Sequence, residues 1–165
     1  MGLSDVSNIL WRERQLLELL LFKLEEEQLV LASGRGRWLN HAAREVEVVL
    51  EQIKAAEFSR SVTVEAVAAD LGLGSNPSLK ELAERTPAPW SGIFEDHRKA
   101  FLTITSEVQT MTQVNRELLA HGAAATRDAL AWLGSNTDVD AELYSPSGVT
   151  NTRATSTSHL VNEAI

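Results

Sequence analysis

Histidine is the side chain of this sequence best suited to acid–base or metal chemistry, and there are four: His41, His97, His121 and His159. His41 and Glu45 stand four apart, so on a helix they share a face and could offer two metal ligands. A closed structural zinc site needs four ligands and the chain has no cysteine, so a solvated helix face is the simpler reading. Absence of cysteine also excludes a disulfide framework and a thiol nucleophile. No Ser–His–Asp arrangement can be nominated, because helices give a nucleophile no strained turn to sit on. Gly34-Arg35-Gly36 is a lone Gly-x-Gly: Leu39 stands where a dinucleotide fingerprint has its last glycine, and no strand precedes it. Gly72-Leu73-Gly74 fails the same test. The sequence therefore reads as a non-enzyme without cofactor or metal.

What remains is binding chemistry. His97 and Asn115 fall on an apolar helix seam. For His97 the expectation is a partly buried, hydrogen-bonded imidazole. Asn115 either sets register or partner choice from inside the seam, or is merely solvated where the seam turns outward. From Leu118 the character changes. Leu118, Leu119, the alanines 120 to 131, Leu130, Trp132 and Leu133 surround much of the helix. A helix apolar on most faces needs more than one partner surface. If the other helices do not reach it, Asn115, Leu118, Leu119, Leu130, Trp132 and Leu133 are the candidate residues for binding another protein. Burial in a homodimer or against the second helix is the competing outcome.

These residues depend on long helices for their placement. Leu3, Leu10, Leu17, Leu24 and Leu31 recur every seven residues, returning to one face every two turns. Leu20 fills a second seam that Glu13 and Glu27 interrupt. With Ser4 as a cap and Ser33-Gly34-Arg35-Gly36 as a stop, this is a helix over 4–33. A second helix starts near Arg37, on the interleaved series Leu39/Val46/Ile53 and Ala42/Val49/Ala56. The pattern slips after Phe58 and resumes at Val64. With β-branched Val62, Thr63 and Val64, a bend or break near 59–63 is expected. Gly72-Leu73-Gly74-Ser75 ends it. A short helix follows to about Arg85, started by Asn76-Pro77 or by a Ser78–Glu81 capping box, and Thr86–Pro89 is an extended linker. The last helix carries Phe94, Phe101, Val108, Asn115, Gly122, Ala129 and His97, Ile104, Met111, Leu118, Ala125, Trp132 as its two heptad series. From Gly134 the chain turns rich in serine and threonine and loses the heptad, which reads as a flexible tail. The expected architecture is all-α: antiparallel long helices with coiled-coil-like packing, a short connecting helix, a helical domain over 1–133 and a tail over 134–165. Within the tail, Leu160, Val161, Ala164 and Ile165 could form one amphipathic turn that docks on the apolar helix end and competes with a partner.

Charge narrows the partners. Fifteen Lys and Arg against 23 Asp and Glu leave a net charge of −8. Nucleic acid and anionic membrane surfaces both need clustered cations, so neither is expected. The most apolar run, Leu16 to Leu24, contains Glu18 and Lys23 and is far short of the ~20 apolar residues of a bilayer span. Met1-Gly2-Leu3-Ser4-Asp5-Val6 has no signal-peptide or myristoylation pattern. A cytoplasmic protein without stable membrane insertion is the expectation.

Three features of the sequence resemble the FlgN family of flagellar export chaperones. The first is a long helix, a short glycine turn and a second helix through Leu39, Val46 and Ile53. The second is Asn115-Arg116-Glu117-Leu118-Leu119, which looks like the family's Asn-x-x-Leu-Leu segment. The third is Leu143-Tyr144-Ser145-Pro146-Ser147-Gly148, similar to the family's Tyr-x-x-x-Gly element at the head of a flexible tail. The turn-rich stretch from Gly72 to Pro89 and Pro146 inside the tyrosine element are departures. The resemblance implies a cytoplasmic chaperone that holds the hook–filament junction proteins FlgK and FlgL as unassembled monomers. It would bind their amphipathic terminal helices and bring them to the type III export gate component FlhA. The family's tail tyrosine maps onto Tyr144 and implies a gate-docking role there. Packing of Tyr144 back on the helix end near Trp132 is the plainer alternative. The competing functional class is a non-enzymatic coiled-coil adaptor or scaffold, supported by the same heptads and acidic surface.

Overall fold

The computed structural model describes residues 2–143, with side-chain surroundings up to residue 135. Four α-helices follow in order: α1 (Leu3–Ala32), α2 (Leu39–Leu71), α3 (Leu79–Arg85) and α4 (Trp90–Leu143), with a single 3-10 turn, Gly36–Trp38, ahead of α2. No strand occurs among the described residues. The all-α architecture of long packed helices is as expected. Residues up to Gly122 form one compact unit and those from Ala123 a second, the division falling inside α4.

Helix ends follow local chemistry. Ser4 does not cap α1; Gly2 does, its backbone N–H donating to Asp5 Oδ2 at 2.8 Å. A carboxylate at the third helical position answers an orphan donor and the helix dipole together, which a hydroxyl at Ser4 could not. Gly34 and Gly72 both take the left-handed conformation, φ 66° and 65°, after α1 and α2. Leu73 N–H reaches back to Ala68 C=O at 2.9 Å, closing a Schellman turn. For α3 the serine reading holds. Glu81 N–H donates to Ser78 Oγ, and Ser78 N–H donates to Glu81 Oε2 at 2.7 Å. The bond from Ser78 N–H, and after it one from the Ser78 hydroxyl at 2.8 Å, hold the Glu81 carboxyl below its ordinary pKa. Thr86 is extended, but 87–90 is not a linker of extended chain. It is a turn, with Trp90 N–H donating to Pro87 C=O at 3.0 Å.

The expected break at 59–63 is absent: α2 runs unbroken from Leu39 to Leu71. The β-branched residues cost only a few tenths of a kcal/mol each. Against that, Val64 and Val67 are fully buried, each worth about 1.5–3 kcal/mol. The hydroxyls of Ser59 and Thr63 turn back to carbonyls four residues earlier and leave the backbone ladder intact. Likewise α4 does not stop at Leu133 but continues to Leu143. Gly134 costs about 1 kcal/mol in a helix, too little to end one by itself. Tyr144 and the rest of the tail, including 159–165, lie outside the described residues.

Within the first unit the core is two clusters. One joins Val6 and Leu10 of α1, Val64 and Val67 of α2, Leu82 and Ala83 of α3, and Phe94 of α4. The other joins Leu20 and Leu24 of α1 to Val49 and Ile53 of α2, with Val108 and Met111 of α4 against them. The pairings run α1 against α2 antiparallel, and α4 alongside α1 in the same direction. The heptad series account for every one of the α1 and α2 contacts except Val64, Val6 falling on the second α1 seam seven residues before Glu13.

Candidate functional site

Polar residues on the seams meet one another across helices. Glu13 interrupts the second seam of α1. Arg60 continues the Leu39/Val46/Ile53 series of α2 through the apparent slip. Glu13 is 6% exposed, and Arg60 Nε stands 3.0 Å from its Oε2. Burial pushes the Glu13 carboxyl above its ordinary pKa, Arg60 pulls it back, and Glu57 adds to the rise. Beside the pair is a cavity of about 240 Å³ lined also by Leu10, Leu79, Arg98 and Phe101.

His97 is 2% exposed, yet the expected hydrogen bond is missing: neither ring nitrogen has a partner among the described residues. Its contacts are aromatic instead. Trp11 meets it edge-on at 5.0 Å between centroids and Phe101 stacks on it at 6.3 Å. Burial, then the Arg14 charge, push its pKa down against a smaller opposing effect of Asp96. The ring is packed as a core aromatic.

Asn115 is decided in favour of the buried reading, at 5% exposure. Its Nδ2 donates to Leu24 C=O and to Glu27 Oε2, both at 2.9 Å. Both neighbours are acceptors, so the amide orientation is determined by chemistry. Glu27 is the other interruption of the α1 seam, and Asn115 answers it. Asn115 Oδ1 is buried without a donor among the described residues.

Asn115 also lines a groove of about 420 Å³ among α1, α2 and α4, at the end where Gly34 turns the chain. Its apolar lining includes Leu24, Leu31, Leu39, Ala43, Val46 and Leu119. Of the other α4 candidates, Leu118 is half-buried and Leu119 is 50% exposed. In the second unit Leu130, Trp132 and Leu133 are 63%, 52% and 53% exposed. Every residue from Leu119 to Ser135 is exposed. Large apolar side chains exposed together are the ordinary mark of a protein-binding surface. The five α1 and α2 leucine, alanine and valine positions of the groove were not among the sequence candidates, although their heptads carry Leu31 and Leu39 to the turn.

His41 lies beside Glu45 on a solvated face. Its Nε2 stands 3.1 Å from Glu45 Oε1, and Lys23 Nζ is 2.7 Å from Glu45 and from Glu26. Hydrogen bonds to Glu26 and then Glu45 raise the Lys23 pKa, and the bond from Lys23 lowers that of Glu45. Among the described residues no three potential ligands cluster for a metal, and no helix is long and apolar enough to cross a membrane.

A family model described as FlgN protein matches residues 1–152. The chain belongs to the FlgN family. Neither a curated protein nor a solved structure matches it. Membership of the FlgN family makes the chain a flagellar export chaperone in the general sense, a protein-binding rather than catalytic role. That agrees with a molecule in which buried Glu13 is met by Arg60 and in which Leu119, Leu130 and Trp132 are exposed.

Proposed function

We propose that this FlgN-family chain holds FlgK and FlgL in the cytoplasm, blocks their premature assembly and delivers them to FlhA at the type III export gate. The observation that supports it is the exposure of Leu119 in the first unit and of Leu130, Trp132 and Leu133 in the second. An amphipathic client helix can lay its apolar stripe on such residues in either unit. Covering the client's apolar stripe removes the surface it would use to self-assemble. Asn115 serves this reading as part of the wall, since its NH2 is engaged by α1, and Leu118 as a half-buried neighbour. The division of labour is client binding by residues 1–133 and gate docking by the tail, through Tyr144.

Two variants test the two halves. Replacing Leu119 and Leu130 with Asp alters exposed positions, so stability should stay within about 0.5 kcal/mol per site. Capture of FlgK and FlgL from flagellated cells should be lost; undiminished capture by the helical variant ends the client assignment. Tyr144→Ala should keep client capture yet bind FlhA ~30-fold more weakly, the loss of an aromatic anchor worth ~2 kcal/mol. Unchanged FlhA affinity in a calorimetric titration of the client-loaded variant removes the docking role, and a collapse in thermal midpoint makes Tyr144 a structural residue.

A further inference from the structure

The two ends of the first unit are closed differently. At the end holding Phe94, α3 completes the core as a fourth helix through Leu82 and Ala83. At the turn end no described element does so, and the groove lies open along the seam residues Leu31, Leu39 and Val46. The rim of this groove departs from the charge of the whole molecule. Arg116 lines it; Arg35 and Arg37 stand on the turn that joins Leu31 to Leu39, around a second concavity with Gly36 and Trp38. Residues 33–44 contain three arginines and no Asp or Glu, in a chain of net charge −8. Among the described residues none of Arg35, Arg37 and Arg116 is in an ion pair. The one carboxylate in the lining, Glu27, accepts a hydrogen bond from Asn115. Beside the groove Trp38 is half exposed, with the Arg37 guanidinium 4.7 Å from its ring centroid.

We propose that this groove receives a helix of a partner protein whose leucine-type stripe is flanked by acidic side chains, the stripe against Leu31, Leu39, Val46 and Leu119 and the carboxylates against Arg35, Arg37 and Arg116. It deepens the client-binding reading above by stating which helices are accepted. The apolar floor supplies affinity for any amphipathic helix. Arginines outside any ion pair supply selection, because a basic flank would meet like charge at close range. Guanidinium groups also pair carboxylates with two parallel hydrogen bonds, which orients the incoming helix. An acidic protein presenting an arginine rim at one end thus turns away the many basic amphipathic helices that its general charge would attract.

Two designed peptides test this on the full-length chain. They share one leucine stripe and differ only in carrying Glu or Lys along its flanks. By calorimetry the Glu-flanked peptide should bind roughly tenfold tighter or better. The margin should shrink as salt is raised, since exposed pairs are screened. Arg35→Glu combined with Arg116→Glu changes only the charge of the rim and should reverse the preference. Equal affinities, binding of neither peptide, a preference that salt leaves untouched, or an unaltered preference in the double variant overturns the proposal. Binding that emerges only in Leu160→Asp would make the chain's own tail the occupant, and a dimer in sedimentation that Arg116→Glu dissolves would make it a second copy; either also overturns it. The peptides are neither FlgK nor FlgL, so failure here leaves capture of those clients standing, and loss of that capture leaves the peptide result standing.

Discussion

Helix α4 carries one continuous heptad through two different environments. Between Phe94 and Asn115 the seam is buried: Phe94, His97, Ile104 and Asn115 are all below 9% exposure. From Leu119 to Ser135 the same seven-residue spacing continues through Ala125 and Trp132, and every residue is exposed. A heptad states which face can be covered; it does not supply the cover. The buried stretch uses large and polar side chains that each fit one place. The exposed stretch is built of alanine with scattered leucine and tryptophan, which gives close approach to a partner without a fitted cavity.

That contrast can be broken most sharply at Phe94. It is fully buried among residues of all four helices, so Phe94→Ala should cost about 3–5 kcal/mol in urea unfolding. A loss below 1 kcal/mol would mean that the seam does not hold this end together. Asn115→Ala comes next. It removes the donor from Leu24 C=O and Glu27, and leaving such groups unsatisfied costs about 1–3 kcal/mol. No loss would make Asn115 a bystander to register.

His97 sharpens the comparison through pH. Its folded pKa is pushed below the ordinary 6.5 by burial and Arg14. The folded state then binds fewer protons than the unfolded one between those values. Its contribution is fully present above 6.5 and is lost as pH falls through the folded value. Glu13 has the opposite sign. Its raised pKa gives a contribution present below 4.5 that is lost as pH rises through the folded value. Thermal midpoints of the wild type should therefore fall on acidification below 6.5, while His97→Phe, filling the same aromatic contacts, should lack that fall. Matching profiles for the two proteins would assign the pH dependence to other groups. The smallest effect belongs to the exposed stretch. Leu130→Ala should change stability by no more than about 0.5 kcal/mol, and a larger loss would show that Leu130 is covered in solution by a second copy.

Much of the bundle was legible because burial in a helix repeats. The leucine series of α1 and the two interleaved series of α2 name most of the residues in both clusters. The Ser78–Glu81 box was legible because a cap is local. The break at 59–63 misread a polar layer as an interruption. Arg60 and Thr63 keep the heptad series of α2: Thr63 donates back to Ser59 C=O, and Arg60 faces Glu13, a pairing 47 residues apart that spacing alone does not reveal. His97 was legible as a seam residue. Its lack of hydrogen bonds was not, since that depends on Trp11 and Phe101 lying against the ring.

Sequence by itself determined the helices, most of their faces, the glycine stops after α1 and α2 and the polar positions on each seam. These follow from backbone geometry and side-chain type within a few residues, which is the range over which capping and periodicity act. Only the tertiary structure decided which polar seam residues meet, that Asn115 is buried against α1, that Leu31 and Leu39 share a groove with Leu119, and that residues 119 to 135 are exposed. Those outcomes rest on which helix lies beside which, and α1, α2 and α4 pair residues that are tens of positions apart in the chain.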